Sequence, residues 1–375
     1  MADLLRMTAG QPPELHPTLD ALAELVKPLA DLRWPTAART GLLPLLLGDG
    51  APSDPPPADW TAAQVRDALT AALSGPEIPP QPPEVLVAPL LHAAKPHLAA
   101  GPDRERLLTL LHALGPQAVM VDPGLPRRLL DRVPQVPALS AVHRALLHLD
   151  ARPSPDPGDA LASGLGGMRA GIAPHGPLTA LLPSQLALPA DLMRYKHLRG
   201  GLLYRARGAA EPPRLRPMVL LLDVSPPVFG PVEALTRPAA YAVASALLRA
   251  GLPAILVTMG GTGQVVPLEQ PRDLLAILTE RSMQRARPAL GLRVAQAMLG
   301  QLPAGPLPPG VLLLTHAWFG AEAGELTPPE GLRAVFVQYP RQRVEPPFAR
   351  RVGRYADLAC TDAEGLGRVL GEVMR

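Results

Sequence analysis

The feature that most constrains this chain is a series of apolar runs in its second half. "MVLLLDV" (218–224), "PAILVTM" (253–259), "GVLLLTH" (310–316) and "GLRAVFVQY" (331–339) carry apolar residues at almost every position. A strand with one wet face alternates apolar and polar residues; a strand covered on both faces does not, and such strands belong to parallel sheets flanked by helices. Helical patterns separate the runs: "VEALTRPAAYAVASALLRAG" closed by Gly251, "PRDLLAILTERS", "ALGLRVAQAMLGQL" and the terminal "AEGLGRVLGEVMR". The pattern predicts an α/β fold over 218–375, a doubly wound, mostly parallel sheet with the strand at 219–223 in its middle. "QVVPL" and "DLACT" complete the expected strands, and "PFARRVGRYA" reads as one more helix. "GGTG" reads as a hairpin turn whose glycines supply positive φ.

Residues 1–150 read instead as an all-helical domain, short helices between loops rich in the chain's 50 prolines. "PTLDALAELVKPLADL" spaces its leucines at helical intervals. "DWTAAQVRDALTAAL" offers Thr61 and Gln64 as a capping box, and "PDRERLLTLLHALG" starts at Asp103 and stops at Gly115. Residues 151–217 form a Pro/Gly-rich linker and then a collar, in which "GLLYRAR" reads as a strand. With 47% hydrophobic and 18% charged residues, the chain can bury a large core and is not disordered throughout. Net charge is only +3, and the most basic segment, 151–217, holds nine basic against four acidic groups, too small an excess to indicate nucleic acid. A single cysteine, Cys360, excludes a disulfide within the chain and reads as a buried core thiol. With no signal-peptide core at the N-terminus and no long apolar window, the expectation is a soluble, cytoplasmic protein with no membrane partner.

In a doubly wound sheet, ligands bind beyond the carboxyl ends of the central strands. Asp223 and Ser225 stand at one such end, followed by Pro226 and Pro227, and His316 stands at another. A phosphotransferase built on Asp223 would need a second carboxylate where Ser225 stands, and the chain has no lysine after Lys196. A hydrolase elbow wants Gly-x-Ser-x-Gly, which "DVSPP" does not supply. The histidine pairs His92/His97 and His143/His148 are five residues apart, a spacing that points them to different helix faces rather than at one metal. "RQRVEPPFARRVGR" lacks the aromatic interleaving of a nucleic-acid surface and reads as a solvated face. Trp318 and Phe319, just past His316, are either core or contact surface.

The order strand, Asp-x-Ser, helix, strand, tight turn, short strand, helix, helix, strand resembles the von Willebrand factor A (vWA) domain, a Rossmann-like fold. The resemblance covers about 218–375. It implies a metal-dependent adhesion site in which Asp-x-Ser-x-Ser, a threonine before a helix and a late aspartate converge on Mg²⁺ or Mn²⁺ through oxygen ligands. Asp223 and Ser225 match its first two positions. Pro227 stands at the second serine, the "RPA" of Arg287 to Ala289 at the threonine, and His316 at the last aspartate. The metal site is therefore degenerate, and the resemblance implies no bound cofactor, or a weak Mg²⁺ at most.

"GLLYRAR" leading into "LLLDVSPP" resembles, more narrowly, the bacterial vWA proteins that work with MoxR-type AAA+ ATPases. What this implies is a non-enzymatic adaptor docking a protein partner, with the helical domain as a further surface. The expected partner-binding residues are Phe229, Arg287, His316, Trp318 and Phe319 at the carboxyl edge of the sheet. The alternative is a Mg²⁺- or Mn²⁺-dependent ligand binder or hydrolase that uses Asp223 and Ser225, completed by acidic groups such as Glu322 or Glu325.

Overall fold

The structure is a computed structural model and describes residues 2–14, 19–47, 83–151, 153, 169–173, 181–207, 215–303, 307–321 and 326–374. The capping box at Thr61 and Gln64, most of the linker, and Glu322 and Glu325 lie outside the described residues. Strands β1 (Arg169–Ala173) and β2 (Tyr204–Arg207) form an antiparallel ribbon, so "GLLYRAR" does hold a strand. The six strands that follow are β3 (Met218–Asp223), β4 (Ala254–Met259), β5 (Val265–Leu268), β6 (Gly310–His316), β7 (Leu332–Gln338) and β8 (Arg354–Ala359). They form one sheet in the order β5-β4-β3-β6-β7-β8, parallel except for β5, which returns antiparallel to β4. This is the α/β fold expected, with β3 central.

Successive residues of β3 and β6 point to opposite faces. Leu220, Leu222, Leu312 and Leu314 enter one apolar cluster, Val219, Leu221, Val311 and Leu313 the other, and all eight are fully buried. The first cluster includes residues of helix α3 (Glu233–Arg249) and helix α6 (Leu366–Val373), and the second includes Leu292 and Ala295 of helix α5 (Pro288–Leu299). Burial on both faces accounts for the unbroken apolar runs. Where α5 crosses the sheet the approach is close: a Cβ on Gly291 would stand 2.6 Å from Met259 Cγ.

The N-terminal helices continue the first cluster. Leu107, Leu108 and Leu111 of the helix Pro102–Val121 share it with Tyr241, Leu247 and Leu278. That helix breaks at Gly115 (φ 70, ψ 167), where the sequence places its stop, and then resumes. Next to the break the buried Tyr241 hydroxyl donates to the Ala113 carbonyl at 2.5 Å.

Two local expectations are corrected. "PFARRVGRYA" is not a helix: a single 3₁₀ turn, Ala349–Arg351, is followed by β8, which starts three residues before "DLACT". The parallel ladder on β7, with Arg333 opposite Arg354, captures the segment and overrides its helical pattern. In "GGTG" only Gly263 has positive φ, +66°; Gly260 is required because a Cβ there would stand 2.6 Å from Ser282 Cβ, whereas a Cβ on Gly261 would meet the end of the exposed Gln284 side chain, which can swing aside.

The Tyr241 bond is testable by pH. Burial raises the phenol pKa from 10.0 to about 12. A group whose folded pKa is raised contributes stability that is whole below the unfolded value and is lost as pH climbs through the folded one. The wild type should therefore lose on the order of 2 kcal/mol between about pH 10 and pH 12 beyond what Tyr241→Phe loses. Near neutral pH, Tyr241→Phe should cost about 1 kcal/mol. Urea denaturation across this range checks both; parallel pH profiles would contradict the bond.

Candidate functional site at the carboxyl edge of the sheet

After β3 the chain proceeds to β4 on one side, and β6 lies on the other, so the strand order reverses between β3 and β6. The carboxyl ends of these strands bring together Asp223, Ser225, Thr315 and His316. Asp223 is 1% exposed, and both of its oxygens are engaged. Oδ1 accepts from the Ser225 amide at 3.0 Å and from the Ser225 hydroxyl at 2.6 Å, and Oδ2 accepts from the Thr315 hydroxyl at 2.8 Å. His316 Nε2 stands 3.7 Å from Oδ2, too far for a hydrogen bond but close enough to feel the charge. Burial lowers the imidazole pKa and the Asp223 carboxylate opposes that shift. Its Nδ1 is buried without a hydrogen-bond partner.

This arrangement suits neither chemistry weighed from the sequence. In a hydrolase the nucleophile must reach the substrate, whereas Ser225 is 0% exposed and its hydroxyl is turned inward to Asp223. A divalent ion needs several oxygen lone pairs pointing outward. Here Asp223 is occupied by three protein donors, Pro227 has no side-chain oxygen, and a histidine fills the third loop. Among the described residues, no group of three His, Cys, Asp or Glu side chains could hold a metal. The described residues do not by themselves fit Mg²⁺.

Above this buried knot lies an open cleft of about 560 Å³, within the range of small-ligand and peptide sites. Its walls include Pro227, Arg285, Pro288, His316, Trp318 and Tyr339. Ser225 forms part of the floor, with its own surface closed off. The Tyr339 hydroxyl donates to the Pro227 carbonyl at 2.8 Å, tying the β3 loop to the end of β7, and the Tyr339 and His316 rings are 5.8 Å apart. Pro226 and Pro227 thus hold a 3₁₀ turn, Pro226–Val228, whose carbonyl is read by another strand.

The structure separates the five partner-binding candidates. Trp318 is 43% exposed and faces the cleft, its Nε1 only 3.4 Å from Gln342 Oε1. Phe319 also borders the cleft, but it is only 2% exposed and packs edge-on against Phe348, so most of its ring supports the wall. Phe229 is half-buried beneath the Arg281 guanidinium, 4.9 Å away, and does not line the cleft. Arg287 is exposed at the N-cap of α5, beyond the cleft wall. His316 is in the wall. Sequence reading missed Arg285 and Tyr339, whose convergence with Trp318 follows from loop packing and from no motif.

It also missed what holds the wall. Glu233, 2% exposed, binds the Arg281 guanidinium through both oxygens, at 3.1 and 2.6 Å. Arg237, 1% exposed, donates to the carbonyls of Ile277 and Glu280, each at 2.6 Å. Its Nε lies 2.7 Å from Glu233, angled away from a good hydrogen bond, so that contact is mainly coulombic. Ser282 then donates its amide to the Val224 carbonyl, and the Arg285 segment follows. No family model matches this chain, and no curated protein matches it. Fold and site define an α/β protein with a buried, hydrogen-bonded aspartate beneath an aromatic cleft.

Asp223→Ala leaves three donors without their acceptor and should cost about 2–4 kcal/mol. Millimolar Mn²⁺ should leave the wild-type melting temperature unchanged; a rise that disappears in Asp223→Ala would restore the metal reading. His316 has a depressed folded pKa, so its contribution is whole above its unfolded pKa and is lost as pH falls through the folded value. His316→Asn should therefore lose less stability than the wild type between about pH 7 and pH 5. Equal acid losses in chemical denaturation would count against a buried neutral imidazole.

Proposed function

We propose that this protein is a non-enzymatic adaptor of the vWA kind, docking a protein partner through the carboxyl-edge cleft without a bridging metal ion. The observation that carries the reading is the exposed Trp318 in a cleft built over a buried carboxylate that accepts from three protein donors. Where an ion would recruit an acidic group from the partner, affinity must come instead from aromatic and arginine contacts, the residue types that dominate interface hot spots. The resemblance of the chain from "GLLYRAR" into "LLLDVSPP" makes a MoxR-type AAA+ ATPase the first partner to test. The metal-dependent alternative has no supporting observation among the described residues. That no helix among them is long and apolar enough to cross a membrane accords with this reading.

Trp318→Ala should weaken binding to the host's MoxR-type ATPase by at least about tenfold, equivalent to about 1.4 kcal/mol. Because the side chain is 43% exposed, the melting temperature should stay near that of the wild type. Phe319→Ala is the contrasting variant, and the loss of a buried ring should destabilise the fold by about 3–5 kcal/mol. Titration calorimetry beside thermal melting separates the two. Undiminished binding by a stable Trp318→Ala protein would remove the cleft from the docking surface.

A further inference from the structure

The loop after β7 is bent against its own sequence. Tyr339, Pro340, Arg341 and Gln342 form a tight turn in which the Gln342 amide donates to the Tyr339 carbonyl at 3.2 Å. Proline at the second position and a positive φ at the third make it a type II turn, whose third residue is normally Gly or Asn. Here that residue is Arg341, at φ 60°. Glycine takes this conformation without steric cost, and arginine does not. Such strain persists where the surroundings over-determine it, and it clusters at functional sites. Gln338, 6% exposed, supplies the constraint. Its Nε2 donates to the Val344 carbonyl at 2.7 Å and its Oε1 accepts from the Val344 amide at 3.2 Å, closing residues 339–343 into a fixed loop.

The loop stands beside Trp318, whose indole Nε1 is 3.4 Å from Gln342 Oε1. Arg341 and Arg343 are exposed on either side of Gln342, and Arg287 is exposed beyond the cleft wall. Glu345, next along the chain, is held by Arg350 at 3.2 Å. Residues 322–325 bring two glutamates against the four arginines Arg285, Arg287, Arg341 and Arg343, so these segments together are positive wherever the glutamates lie.

We propose that this loop is the specificity element of the docking edge, and that it takes an acidic segment of the partner protein, with carboxylates on Arg341 and Arg343 and an apolar side chain on Trp318. A guanidinium pairs with a carboxylate through two parallel N–H donors, so a fixed loop gives direction as well as attraction. An arginine presented from a loop already ordered loses less freedom on binding than one that must first be ordered. Exposed positive charge also speeds the encounter with an acidic surface, and salt screens that effect. Two copies of this chain would bring like charges together here, which disfavours a second copy as the occupant.

This inference rests on the docking function proposed above and names the chemistry of what docks. The test is calorimetric titration of the full chain with an acetylated, amidated peptide of three leucines between two blocks of three glutamates. A companion peptide carries lysines in place of the glutamates. The glutamate peptide should bind, and its affinity should fall severalfold between about 0.05 M and about 0.5 M salt. The lysine peptide should bind at least about tenfold more weakly. Arg341→Gly should raise the melting temperature by relieving the strain, yet weaken the glutamate peptide at least about fivefold. Arg341→Glu combined with Arg343→Glu should abolish that binding and admit the lysine peptide instead. No binding of the glutamate peptide at millimolar concentration, equal binding of the lysine peptide, full binding by the doubly reversed variant, or a melting temperature not raised by Arg341→Gly would overturn the proposal. Self-association seen by light scattering and abolished by the double reversal would make the occupant a second copy and overturn it as well. If the peptide fails while Trp318→Ala still impairs ATPase binding, the docking edge stands and the acidic class falls. If the peptide binds and the ATPase does not, the partner named above falls and the acidic chemistry stands.

Discussion

The rest of the structure depends on β3 being hydrogen-bonded on both edges and covered on both faces. Its neighbours β4 and β6 leave no free edge, and the apolar clusters leave no wet side chain from Met218 to Leu222. Fully burying an aliphatic side chain is worth roughly 1.5–3 kcal/mol, so five such positions in sequence fix the register against slippage. The ladder ends where polarity begins. Asp223 therefore arrives at the rim of the sheet with its backbone position determined and its carboxylate in a dry environment, which obliges it to find donors.

Those donors are local, and this decides the character of the site. An Asp-x-Ser loop lets the serine amide and hydroxyl fold back on Oδ1, while the parallel neighbour β6 delivers Thr315 to Oδ2 and His316 beside it. An aspartate so enclosed acts as a knot between two strand ends rather than as a ligand. The prolines reinforce the same outcome, since the Pro227 carbonyl receives Tyr339 and draws the end of β7 into the assembly. Three loops are tied without an ion, and the surface above them is left apolar and aromatic.

A second knot on the α3 side serves the opposite wall. Glu233 and Arg237 are buried and Arg281 half-buried, a charged group whose contribution to net stability is small once desolvation is counted, yet its geometry is demanding. Arg237 clamps the carbonyls that end the short helix Leu275–Thr279, and Arg281 roofs Phe229. Together they set where residues 282–288 pass, and hence where Arg285 and Pro288 meet the cleft. Gly260 belongs to the same arrangement, because a Cβ there would press on Ser282 and push its segment away.

What the sequence determined by itself is the layered architecture. Apolar runs at period one, separated by helical patterns and closed by Gly251, are local signals of double burial and of helix ends, and they suffice for the fold class and the central strand. They suffice also to place Asp223, Ser225 and His316 at one edge, because strand direction alone puts them there. Tertiary structure decided what local pattern cannot carry. Trp318 and Phe319 are adjacent, chemically alike and both border the cleft, yet one ring is exposed and the other is buried against Phe348. "RRVGRYA" became a strand because the edge of β7 was available to it. The Glu233–Arg237–Arg281 group and the pairing of Tyr339 with Pro227 span 48 and 112 residues of chain. Contacts at such separation exist only once the sheet has brought their elements together.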